Sequence, residues 1–182
     1  MKYYIVALFD EESYEDITPI QKKVSKKFRS NRNSPIPHIM LNVLENPNIE
    51  KLNSIIEKNL KPYKKFKIQT GDNISLPDNS KTVSLKIDYR GYIKKIERHL
   101  SDSLELNGFS SKNVNSEELS ISLGNVNYIN KDKKSEPKIM LDQIKKDCTS
   151  FTFKIDKFEI WKISNNKRET CVKSFPLKPF EC

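Results

Sequence analysis

The chain opens on an apolar run, Tyr3-Tyr4-Ile5-Val6-Ala7-Leu8-Phe9, with no polar face, the pattern of a central strand. The period then changes. Ile17, Ile20, Val24 and Phe28 fall at three- and four-residue steps, predicting a helix whose other face carries Lys22, Lys23, Lys26 and Lys27. Asn31, Asn33, Pro35 and Pro37 make Ser30–Pro37 an irregular loop. A strand is predicted over His38–Leu44. Asn48 reads as the N-cap of a second helix, with Ile49, Leu52, Ile55, Ile56 and Leu60 as its stripe and an end near Pro62. Strands follow over Phe66–Leu76 and Thr82–Tyr89. The next helix, about Gly91 to Leu106, has Ile93, Ile96, Leu100 and Leu104 in phase, with Gly108 as its stop. Ser110–Ser116 reads as a polar loop and Leu119–Val126 as a strand. A helix over about Pro137–Cys148 precedes a long strand or pair of strands, Phe151–Ile163. Asn165–Lys167 is a predicted turn and Thr170–Phe175 a last strand.

Each half thus holds a helix followed by a short strand of similar rhythm, His38-Ile39-Met40-Leu41 in the first and Ser120-Ile121-Ser122-Leu123 in the second. The order predicts an α+β fold: a single bilobal domain over 1–182, two pseudo-symmetric lobes of antiparallel sheet, helices on the outer faces and a central groove. Alternation assigns the faces. Ile39, Leu41 and Val43 go beneath the helices, as do Leu119, Ile121 and Leu123. His38, Met40 and Asn42 then face the groove with Ser120, Ser122 and Gly124, joined by Ser84, Lys86 and Asp88 from Thr82–Tyr89 and by Thr152 and Lys154 from Phe151–Ile155. One imidazole, several hydroxyls, an amide and ammoniums suit a phosphate-bearing ligand. An ordinary hydrated sheet face has the same alternation.

Charge and composition narrow the partners. Lys and Arg total 33 against 24 Asp and Glu, a net charge of +9, which favours anions such as nucleotides or RNA, although solvated lysines give the same excess. Cys148, Cys171 and Cys182 have no CxxC spacing, which argues for reduced thiols in a cytoplasmic protein and against a disulfide framework or a zinc site. Tyr3–Phe9 is too short, and too closely followed by Asp10, Glu11 and Glu12, for a signal peptide or membrane span. No metal-ligand cluster, Gly-rich phosphate loop or catalytic-cysteine constellation is present, so no metal and no cofactor is expected. Protein partners cannot be read from the residues.

Pro37-His38-Ile39-Met40-Leu41 and Leu119-Ser120-Ile121-Ser122-Leu123 resemble the two H-x-T/S motifs of the 2H phosphoesterases, a superfamily that includes the bacterial 2′-5′ RNA ligase group. Tyr3–Asp10 at the start, and Phe158-Glu159-Ile160-Trp161-Lys162 with Val172–Leu177 at the end, are similar to bacterial members in content and order. The resemblance implies two lobes, each with one motif, and chemistry in which one histidine takes a proton while the other gives one. Here the four motif positions read His38, Met40, Ser120 and Ser122. Serine does not exchange protons near pH 7 and methionine donates no hydrogen bond. His99 sits in a helical stripe and reads as a structural or surface residue.

His38 is therefore the sole catalytic candidate, with Met40 and Ser120 at degenerate positions. His38 as a donor, Met40, Ser120, Ser122, Lys86 and Lys154 are the expected ligand-binding set. The leading expectation is a degenerate 2H-like protein that sequesters a nucleotide, with a cyclic or 2′-5′-linked signalling molecule as the candidate. The alternatives are an active phosphodiesterase or 2′-5′ RNA ligase-like enzyme, with His38 and solvent or lysine as its acid–base pair, and an RNA-binding surface on the helix at Lys22–Lys27.

Overall fold

A computed structural model describes residues 1–28, 35–75, 82–89, 91–113, 119–125, 150–164 and 168–179. The elements run β1 (Lys2–Phe9), α1 (Glu11–Phe28), β2 (His38–Glu45), α2 (Ile49–Leu60), β3 (Phe66–Ser75), β4 (Thr82–Tyr89), α3 (Gly91–Leu106), β5 (Ser111–Asn113), β6 (Ser120–Asn125), β7 (Phe151–Ile163) and β8 (Glu169–Pro176). The helix predicted over Pro137–Cys148 and the turn at Asn165–Lys167 lie outside the described residues.

Local chemistry sets the helix ends. The Asp10 carboxylate accepts the Ser13 backbone N–H at 3.0 Å, and Glu11 and Glu12 follow in the first turn of α1, where the helix dipole favours negative charge. Asn48 Oδ1 caps α2 by accepting the Lys51 N–H at 3.0 Å. At the end of α3, Gly108 takes φ +79°, a backbone region that disfavours a Cβ. Its N–H donates to the Glu105 carbonyl at 2.9 Å, and the Phe109 N–H reaches the Leu104 carbonyl at 2.9 Å. This is a Schellman stop, with Phe109 packed on the core.

All strand pairings are antiparallel, and six strands close into a ring of pairings, β1-β2-β6-β4-β3-β7 and back to β1. An approximate twofold passes between β2 and β6 and between β3 and β7. It exchanges β1-α1-β2 with β4-α3-β6, which makes the two expected lobes. α2 joins β2 to β3. β7 is shared: Phe151–Ile155 pairs with β3, whereas Ile155–Ile163 pairs with β1 and carries β8 on its far edge. The large core lies on the helix side of this sheet, and a small cluster of Val6, Leu8 and Trp161, flanked by Tyr4, lies on the opposite face. No helix among the described residues is long and apolar enough to cross a membrane.

Three expectations are corrected. Ser111–Asn113, expected within a polar loop, is a strand paired with Asn42–Leu44. β6 covers β2 only at His38 and Ile39, so the backbone groups further along β2 take β5 as their partner. Asn42 does not face the groove. Ile5 pairs with Asn42 and Val6 with Met40, so Leu41 is an extra residue in the ladder and the alternation reverses there. Asn42 is fully buried on the helix side, where its Nδ2 donates to Ser101 Oγ at 3.0 Å. Val43 is half-buried instead of core.

Replacing Asn48 by Ala removes the α2 cap and should lower stability by about 1 kcal/mol, or about 2–4 °C in Tm for a chain of this size. Urea and thermal unfolding curves that superpose on the parent would refute the capping role.

Candidate functional site

The segment leading into β2 is tied to α1. The Tyr14 hydroxyl donates to the Pro37 carbonyl at 2.9 Å, and Gln21 Nε2 donates to the carbonyls of Leu123 at 2.9 Å and Pro35 at 3.3 Å. One glutamine side chain thus joins the approach to β2 with the residue that follows the motif in β6. The register then aligns the side chains. His38 lies opposite Ser122, and Ser122 lies opposite Ser84, so an imidazole and two hydroxyls form one row across β2, β6 and β4. One step along, Ser120 lies opposite Lys86, on the side toward Met40. The twofold maps His38 onto Ser120 and Met40 onto Ser122.

Of the expected residues, the structure brings His38, Met40, Ser120, Ser122 and Lys86 to one face. The residue directly opposite His38 is Ser122 rather than Ser120, because antiparallel strands related by a dyad align the first position of one motif with the last of the other. Lys154 is not in this row. It pairs with Lys67 in β3, and its ammonium is engaged by Asp10 Oδ2 at 3.7 Å, at the head of α1. That contact helps hold the Asp10 carboxyl below its ordinary range against the opposing effect of burial, together with hydrogen bonds from Ser13. His99 lies elsewhere, exposed on α3, with Nδ1 3.1 Å from the Tyr63 hydroxyl.

His38 is only 4% exposed. Burial pushes its imidazole pKa down to about 4, overcoming the opposing pull of the Ile36 carbonyl, which lies 2.8 Å from Nδ1. A carbonyl only accepts, so Nδ1 carries the proton and Nε2 presents a lone pair. The expected donor role of His38 toward a ligand requires the protonated ring, whereas the neutral ring offers Nε2 as a hydrogen-bond acceptor. No second imidazole stands in the row, so the described residues there offer one weak base and no matching acid.

Sequence reasoning missed the group that holds this ring. Trp161 meets His38 edge-to-face, ring centres 4.7 Å apart, and its Nε1 donates to Glu159 Oε2 at 2.7 Å. Lys157 Nζ lies 2.9 Å from Glu159 Oε1. Burial opposes the charge on Glu159, but these two donors hold its carboxyl below the usual range, so it does not supply the absent acid. The signal was present in the alternation of Lys157, Glu159 and Trp161 along β7.

No protein-family model and no curated protein sequence matches the chain. Solved structures do match in fold. Escherichia coli LigT complexed with 3′-AMP is 13% identical with a TM-score of 0.66, over 97% of each chain. TT0787 of Thermus thermophilus is 15% identical with a TM-score of 0.64, over 100% of each chain. Usb1 of Kluyveromyces marxianus is 14% identical with a TM-score of 0.53, over 97% of this chain and 98% of that one.

The buried neutral imidazole makes stability depend on pH. Below about pH 6.5 the unfolded chain binds a proton at His38 that the folded chain refuses until about pH 4. Stability is therefore lost as pH falls through that window, by about 3 kcal/mol from this group alone. In urea titrations from pH 7 to 4, His38→Gln should show a shallower decline than the parent. Parallel declines would show that His38 is protonated in the folded state.

Proposed function

We propose that this chain, built on the fold of the 2H phosphoesterases, binds a nucleotide in the groove between its lobes and holds it without efficient cleavage, a cyclic or 2′-5′-linked nucleotide being the best match to the motif strands. The observation that carries this reading is the dyad of the β2–β6 ladder, which places Ser120 at the position equivalent to His38. One side of the site keeps a proton acceptor, and the other offers a hydroxyl where proton transfer would need an acid. LigT has been crystallised with 3′-AMP, ATP, phosphate and NADP+, so the shared scaffold accommodates such ligands in that protein.

In this reading the Ser122 and Ser120 hydroxyls donate to phosphate oxygens and the Lys86 ammonium supplies charge. Nε2 of His38 accepts a ribose hydroxyl. Met40 gives the phosphate nothing. Lys154 contributes only by giving up Asp10. Loss of an acid–base partner costs on the order of 10²- to 10⁴-fold in rate. Loss of a donor to the developing oxyanion costs on the order of 10²- to 10³-fold. Because such groups act together the two factors do not simply multiply. Binding is less affected, since each hydroxyl contact to a charged phosphate stands largely alone.

The second reading, an active phosphodiesterase or 2′-5′ RNA ligase-like enzyme, draws support from the pinned tautomer of His38, which keeps Nε2 available as a base. Phosphorus NMR with calorimetry on 3′-AMP, a 2′,3′-cyclic nucleotide and a 2′-5′ dinucleotide separates the two. Sequestration predicts binding with the ligand returned unchanged, roughly tenfold or greater weakening by Ser122→Ala, and new turnover in the Ser120→His, Met40→Thr double variant that His38→Ala then removes. Steady conversion by the parent chain, abolished by His38→Ala, would establish the enzyme and overturn sequestration.

A further inference from the structure

The outer surface, on the helix side of the sheet and so opposite the groove, carries two adjoining clefts of about 590 and 650 Å³. Lys58 and Tyr63 line both and make them continuous. The first runs between α2 and α3 and adds Tyr92, Lys95 and His99; no carboxylate is among its described lining residues. The second runs between α2 and β8 and adds Lys61, Lys173 and Lys178, with Glu57 as its one described acid. None of these five lysines forms an ion pair with a described carboxylate. Four lysines elsewhere on the molecule are matched: Lys65 with Asp156, Lys94 with Glu97, Lys154 with Asp10 and Lys157 with Glu159.

Among these ammoniums stands a supported aromatic face. Tyr92 is 59% exposed, yet its ring is braced edge-to-face by Tyr63, with ring centres 6.5 Å apart, and tilted against Phe66 at 5.9 Å. Tyr63 is itself tied through its hydroxyl to His99 Nδ1. A braced, exposed ring within a field of unmatched positive charge is a platform for a flat π-system carrying phosphates. The charges are spread along two clefts rather than converging on one point, which suits a ligand with repeated phosphates. A base paired in a duplex has no free face to place on Tyr92.

We propose that the α2/α3/β8 surface is a binding track for single-stranded nucleic acid, with Tyr92 as its stacking platform and Lys58, Lys61, Lys95, Lys173 and Lys178 on the phosphates. It is separate from the groove and from the lysine face of α1, and it does not depend on what the groove binds.

Fluorescence anisotropy of the full chain with labelled oligouridylate and oligothymidylate, across several salt concentrations, tests it. The logarithm of the affinity should fall linearly with the logarithm of salt. Tyr92→Ala should weaken binding about tenfold, the scale of one base–aromatic stack, and Tyr92→Phe should restore it. Lys58→Ala with Lys95→Ala should reduce the salt slope by about 0.7 per lysine removed. The track is overturned if the Tyr92 and lysine variants bind as the parent does, or if binding is lost instead through Ser122→Ala or through Lys22→Ala with Lys26→Ala. It is also overturned if polyglutamate binds while the oligonucleotides do not, since the surface is then a docking face for acidic protein. Thermal unfolding of each variant confirms that these exposed substitutions leave the fold intact.

Discussion

Ile39 and Ile121 pair directly where β2 meets β6, and both are fully buried beneath the helices. Burying an isoleucine side chain is worth roughly 1.5–3 kcal/mol. A slip of one residue between these strands would reverse one of them, turning its isoleucine outward and its polar motif residues into the core, so the register cannot drift. That constraint fixes the chemistry on the other face. It sets His38 beside Ser122, makes Ser120 the symmetry mate of His38, and places the dyad on which the two lobes are arranged. Gln21, bonded to the Pro35 carbonyl before β2 and to the Leu123 carbonyl within β6, reinforces the same junction from the helix side.

The electrostatics of the groove follow from how tightly that junction is packed. His38 is enclosed by Trp161, by the Ile36 carbonyl and by its strand neighbours, and the enclosure keeps it neutral. Glu159 survives as a nearly buried carboxylate because Trp161 and Lys157 both donate to it. The indole therefore has two roles, one edge satisfying a charge and one ring surface steadying the imidazole. A ring oriented in this way is well placed to accept a hydrogen bond and badly placed to stay protonated.

Much of this was legible from periodicity. The stripes of α2 and α3, the Asn48 cap, the Gly108 stop and the facing of His38, Ser120, Ser122 and Lys86 all follow from residue types at fixed spacings, because burial enforces those spacings. Asn42 was misplaced because its direction depends on the extra residue at Leu41, and that bulge is decided by the pairing with β1, not by anything local to β2. β5 was invisible for the same kind of reason: three polar residues became a strand because β2 had an uncovered edge. Glu159 and Trp161 alternate correctly with Lys157, but their importance arises only when β1 carries β2 alongside β7 and brings His38 within reach.

The dyad also shows where the two halves differ. The approximate twofold relates the two motif strands, so the difference between them at the motif positions comes from side chains. On the first lobe stand a neutral imidazole, Met40 and the apolar wall of Val6, Leu8 and Trp161. On the second stand Ser84, Ser120, Ser122 and Lys86, three hydroxyls and an ammonium. The hollow is polarised. If the proposed nucleotide binds here, its favourable orientation sets phosphate toward β4 and β6 and its hydroxyl toward Nε2 of His38. Two intact H-x-T motifs would present matching imidazoles to both sides of a phosphorus atom, as in-line proton transfer requires. Met40 and Ser120 replace that symmetry with direction, and the proposal of binding without efficient cleavage rests on that difference.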